Sequence, residues 1–169
     1  MNKLNENIFH QYNKWKQGYE RKENSLQLRL NNFLSDKANV EFTDSCHISK
    51  DGKHIDFNTS ITIRDVDLID GKLPFPFGKI DGYFDCAFLD DLVSLEGAPE
   101  EVTGDFFCSN CPKLTSLEGA PEKVGGDFCT HLCPNLTSLE HLPKKIGGGL
   151  SVDKRFMGKL PSDILVVYY

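Results

Sequence analysis

Leu92-Val93-Ser94-Leu95-Glu96-Gly97-Ala98-Pro99, Leu114-Thr115-Ser116-Leu117-Glu118-Gly119-Ala120-Pro121 and Leu136-Thr137-Ser138-Leu139-Glu140-His141-Leu142-Pro143 are three copies of one segment, set 22 residues apart. Positions outside the segment keep the same step: Gly82, Gly104, Gly126 and Gly148; Phe84, Phe106, Phe128 and Leu150; Ile80, Val102, Val124 and Ile146. A repeat of this length is one supersecondary unit that buries its apolar side only by stacking on its neighbours. The expected architecture is an α+β solenoid of about five coils with a parallel sheet.

Inside one coil, Phe106 and Cys108 alternate with Asp105, Phe107 and Ser109, so the first pair points inward from a short strand and the others outward. Carried through the register, the outward face holds Tyr83, Asp85 and Ala87; Asp105, Phe107 and Ser109; Asp127, Cys129 and His131; Gly149, Ser151 and Asp153. Acids mixed with exposed aromatics make this face the candidate partner-binding surface, with Tyr83, Asp85, Asp105, Phe107, Asp127, Cys129, His131, Ser151 and Asp153 as its site residues. The same register explains the cysteines. Cys86 and Cys108 share an inward column with Thr130 and Val152, and Cys111 and Cys133 share a turn column with Leu89. Residues that exchange with Leu, Val and Thr act as small core fillers, so Cys108-x-x-Cys111 is read as packing and not as half a zinc site. Cys129 differs, because it replaces Phe107 at an outward position.

Before the repeats, Ile8, Tyr12, Trp15 and Tyr19 fall on one helical face, and Leu26, Leu30, Phe33 and Leu34 make a second stripe. Residues 1–36 are therefore expected to form a helical segment that caps the open end of the solenoid, or else contacts a partner or a second copy. Residues 37–60 read as a lead-in hairpin around Lys50-Asp51-Gly52-Lys53. The solenoid is expected over 61–169, beginning with a divergent coil in which Ile61, Ile63, Val66 and Ile69 match Phe84, Cys86, Leu89 and Leu92 with one extra residue. It closes on a shortened coil and a terminal strand from Leu165 to Tyr168.

Phe106-x-Cys108-x-x-Cys111-x-x-Leu114-x-x-Leu117 has leucine-rich-repeat spacing. Leu136-Thr137-Ser138-Leu139 followed by Leu142-Pro143-x-x-Ile146 is similar to the short bacterial type found in secreted effectors. Gly104-Asp105-Phe106 combined with Cys111-Pro112-x-Leu114-Thr115-Ser116-Leu117-Glu118-Gly119-Ala120-Pro121 resembles leucine-rich-repeat-like proteins of large tailed phages. The likeness spans residues 61–165, with 22-residue repeats and a Gly-Asp insertion as departures from the effector type. It implies a leucine-rich-repeat-like β-solenoid, and a phage-encoded protein that binds and modulates a host factor.

The net charge is −6 overall; residues 1–40 carry seven Lys/Arg against four Asp/Glu, which leaves −9 for the remainder. An acidic solenoid offers no basic stripe to displace counterions, so nucleic acid is not an expected partner. No apolar run has the length of a membrane span, and the opening residues lack an apolar signal-peptide core, so the expected location is the cytoplasm. There is no phosphate loop, G-x-S-x-G, H-E-x-x-H or EF-hand loop. His131 near Asp127 and Cys129 suggests a triad only by composition, since alternate positions on one strand stand about 6.5 Å apart. The expectation is a non-enzymatic interaction module without metal or cofactor. The alternative is a structural or assembly protein that homodimerises through its N-terminal helices.

Overall fold

The computed structural model describes residues 28–30, 33, 46–156, 158–160 and 165–168, the last four by backbone alone. The chain divides into two units, 1–39 and 40–169. In the first, Leu28–Leu30 and Phe33 are helical, and Leu30 and Phe33 are buried. The helix expected around Ile8, Tyr12, Trp15 and Tyr19, and the capping role of residues 1–36, lie outside the described residues.

The second unit is a parallel β-solenoid. Strands β3 (Ile61–Thr62), β5 (Phe84–Asp85), β7 (Phe106–Phe107), β9 (Phe128–Cys129) and β11 (Gly149–Val152) stack in parallel, and β12 (Leu165–Tyr168) adds to β11. From Ile61 to Leu150 this makes four complete turns. Phe84 aligns with Phe106, Phe106 with Phe128, and Phe128 with Leu150, as the 22-residue period requires. Ile61 aligns with Phe84 through one extra residue, and Gly149 meets Leu165 in a coil six residues short.

A second sheet, formed at the Ile80, Val102, Val124 and Ile146 step of the repeat, runs along another side. It is ordered β1 (Cys46–Ile48), β2 (Ile55–Phe57), β4 (Phe77–Ile80), β6 (Glu101–Val102), β8 (Lys123–Val124) and β10 (Lys145–Ile146). Strands β1 and β2 form the expected antiparallel hairpin around Lys50–Lys53, and β2 joins the solenoid by pairing in parallel with β4. A bulge at Gly78 lets Asp56 Oδ1 accept the Lys79 N–H at 2.6 Å.

The interior is a spine of aromatic rings. Phe84 and Phe106 stack at 5.5 Å with 9° between planes, and Phe106 and Phe128 at 5.3 Å with 5°. Phe77 meets Phe84 edge-on at 4.9 Å, and Phe57 and Phe75 continue the cluster towards the hairpin. Such rings bring the largest apolar areas a core can bury, which compensates for coils whose strands are only two residues long. Leu92, Leu95, Leu114, Leu117 and Leu136 close the third side.

Stacking at this spacing leaves no room for Cβ at the corner ahead of the strand. On Gly104 it would sit 2.8 Å from the Gly82 carbonyl oxygen. One expectation for the first coil is corrected. Ile61 and Ile63 are buried, but Val66 and Ile69 are 76% and 49% exposed. A short 3-10 turn over Asp65–Asp67, closed by Asp67 Oδ2 accepting the Arg64 N–H at 2.8 Å, turns Val66 outward and buries Asp67 in its place.

Four of the six cysteines are core residues, and Cys46 and Cys129 are half-buried. Cys86, Cys108, Cys111 and Cys133 are fully buried, and the Cys111 and Cys133 thiols donate to the Cys86 and Cys108 carbonyls of the preceding coil at 3.2 Å. Burial pushes the Cys86 and Cys108 thiols well up, and the hydrogen bond with Cys133, then burial, pushes Cys111 up. Among the described residues no group of three or more His, Cys, Asp or Glu is placed to hold a metal ion.

Candidate functional site

The outward face of strands β5, β7, β9 and β11 carries the predicted site residues, but most of their polar groups are already used. The Asp105 carboxylate accepts the Asp127 N–H at 2.7 Å, and the Asp127 carboxylate accepts the Gly149 N–H at 2.6 Å. Each acid therefore ties its coil to the next. Asp85 accepts the Ala87 N–H at 3.0 Å, and Asp153 accepts the Leu132 N–H at 3.1 Å while pairing with Arg155 at 3.1 Å. Ser109 and Ser151 are buried beside His131, whose Nδ1 lies 3.2 Å from the Ser109 hydroxyl and 3.0 Å from that of Ser151.

These contacts bear on the triad suggested by Asp127, Cys129 and His131. His131 is bonded across coils by its Nδ1, and burial, then the charge of Asp127, pushes the Cys129 thiol up. A nucleophilic cysteine needs the opposite, a thiolate stabilised by a cation or helix N-terminus. What the face still offers a partner is aromatic. Tyr83 is 44% exposed, and its ring lies 6.5 Å from that of half-buried Phe107.

Two large, exposed apolar side chains lie one residue beyond this face, at the corner where each strand ends. Phe88, Asn110 and Leu132, one per coil, all adopt left-handed backbone, with φ of 59°, 54° and 57°. Asn tolerates this region; Phe and Leu do so at a cost of roughly 1–2 kcal/mol each. The stack holds them there: the Phe88 N–H donates to the Ser109 carbonyl at 2.9 Å, the Asn110 N–H to the His131 carbonyl at 3.0 Å, and the Leu132 N–H to Asp153. The side chains face solvent, Phe88 at 73% exposure and Leu132 at 51%. Val66 protrudes from the 3-10 turn at the matching corner of the first coil.

Beside this ridge runs a groove of about 890 Å³, walled by Phe88 and Leu132, floored by Asn110, Pro112 and Pro134, and ended by Asp153, Lys154 and Arg155. Arg155 seals that end, donating to the Pro134 carbonyl at 2.8 Å and to the Cys133 carbonyl at 2.5 Å. The outward face expected from alternation ends at Ala87, Ser109, His131 and Asp153, and so leaves out Phe88 and Leu132. The signal for them is Asn110, a residue that tolerates left-handed backbone, in the column it shares with both.

The opposite sheet is a weaker candidate. A depression of about 390 Å³ there is lined by His54, Asp56, Lys79, Glu101 and Lys123. Its charges pair with one another: Glu101 lies 3.1 Å from Lys79 and 3.7 Å from Lys123.

No protein-family profile, curated protein or solved structure matches the chain. Among the described residues no helix is long and apolar enough to cross a membrane. Fold and site together define a parallel β-solenoid with an apolar ridge along one corner.

Proposed function

We propose that the protein is a non-enzymatic, leucine-rich-repeat-like interaction module that binds another protein through the strand face and the adjoining ridge. The observation that carries this reading is the pair of large apolar side chains, Phe88 and Leu132, held out at 73% and 51% exposure on left-handed backbone. Folding alone gains nothing from either feature, and strained backbone with exposed apolar surface is the pattern of contact sites. Tyr83 and Phe107 extend the surface across the strand face. The kinship in pattern with phage leucine-rich-repeat-like proteins favours a host factor as partner, met in the host cytoplasm, with the acidic surface aiding selectivity for it. No metal, cofactor or nucleic acid enters this reading.

The test is affinity capture of tagged protein from its native cell, comparing wild type with Phe88→Asp and Leu132→Asp by quantitative mass spectrometry. Loss of a specific companion from both variants supports the reading. An unchanged set of companions refutes it.

A further inference from the structure

Between Phe88 and Leu132 the ridge is nearly symmetric about its middle. Phe88 and Leu132 stand one coil to either side of the smaller Asn110, so the two knobs are about 10 Å apart with a dip between them. Its ends carry opposite charge. At the Phe88 end, Asp65, Asp90 and Asp91 are all exposed, and Lys113 pairs with Asp91 at 2.5 Å. At the Leu132 end lie Lys154 and Arg155, with Asp153 engaged by Arg155 and Lys154 exposed without a carboxylate partner among the described residues. A twofold axis through Asn110 exchanges Phe88 with Leu132 and the acidic end with the basic end. A surface that is complementary to itself under such a rotation is what an isologous dimer requires.

We infer that the ridge is the contact between two copies of this chain, packed antiparallel so that the Asp90 end of one faces the Lys154 end of the other. This rests on the proposed use of the ridge for protein binding, and takes a second copy, in place of a host factor, as what covers it. The flanking groove allows Phe88 of each copy to pack against the other's Leu132 and Pro134, out of water. The charged ends set the orientation, because a parallel arrangement would bring Asp90 against Asp90 and Lys154 against Lys154.

The test is sedimentation velocity of the full chain with single and paired charge reversals at exposed sites, where the fold is not at risk. Wild type is expected to dimerise with an affinity that falls as salt rises. Asp90→Lys and Lys154→Asp should each weaken it about tenfold, and the double variant should recover most of the loss. Phe88→Asp should leave a monomer with an unchanged circular dichroism spectrum. A monomer at every concentration up to about 1 mM overturns the inference. So does a dimer indifferent to Asp90→Lys and Lys154→Asp. If the chain is monomeric yet Phe88→Asp still loses a companion in affinity capture, the second copy is wrong and the interaction module stands. If Phe88→Asp affects neither, both fall.

Discussion

Replacing Phe106 with Ala probes the stacked interior at its centre. The Phe106 ring is fully buried and sandwiched between Phe84 at 5.5 Å and Phe128 at 5.3 Å. Truncating a buried Phe costs about 3–5 kcal/mol, and the cost depends on how far the surroundings collapse into the space. Collapse is restricted here, because the strands on both sides are pinned: the Phe84 N–H donates to the Asp105 carbonyl at 2.9 Å, and the Phe106 N–H to the Asp127 carbonyl at 2.8 Å. Two aromatic contacts are lost as well, each worth about 0.5–1.5 kcal/mol beyond area. The expected loss therefore lies in the upper part of the range, about 4–5 kcal/mol, a large share of the ~5–15 kcal/mol that stabilises an ordinary domain. Urea unfolding followed by circular dichroism measures it, with Phe107→Ala as the control. Phe107 is the next residue but faces outward and half into solvent, so its truncation should cost less than about 1.5 kcal/mol. Equal losses at 106 and 107, or a loss below about 2 kcal/mol at 106, would refute the inward column.

Two further perturbations follow from local features. His141 has φ 68° in the column where Gly97 and Gly119 both have φ 89°, so His141→Gly should raise stability by about 1 kcal/mol, read as a shift in urea midpoint. The buried thiols predict a pH dependence. Because burial raises Cys86 and Cys108, the folded chain holds protons that the unfolded chain gives up above about pH 8.5. Their contribution to stability is complete below that pH and declines as pH rises, since the folded state then binds more protons than the unfolded one. Cys108→Ala should show a smaller fall in urea midpoint between pH 7.5 and 9.5 than wild type, and an identical fall would contradict the burial. In the same range iodoacetamide should label half-buried Cys46 and Cys129 well before the four core thiols.

The parts of the fold that were legible are those written as a period. Phe84, Phe106, Phe128 and Leu150 stack because equal spacing along a solenoid becomes equal position across it. The exchange of Cys with Leu, Val and Thr disclosed the thiols as packing by the same logic. Features that depend on backbone geometry were not legible. The second sheet has strands of two residues, such as Lys123–Val124, too short for alternation to register. The first coil departs at Val66 because a 3-10 turn closed by Asp67 replaces the spacing that Leu89 follows. On the strand face, the outward direction of Asp105 and Asp127 could be read from alternation, but their bonds to the next coil's N–H groups could not. Phe88 and Leu132 escaped for a related reason: their exposure comes from left-handed φ, which neither residue type advertises.

The ridge itself is best tested by a photo-reactive phenylalanine analogue placed singly at positions 88, 132 and 93 of the full chain, irradiated in living cells. Val93 is the reference, apolar and 39% exposed like a contact residue but away from the strand-end corner. Cross-links from 88 and 132 with none from 93 are expected. Equal yields from all three positions, or adducts from 93 alone, would contradict binding at the corner.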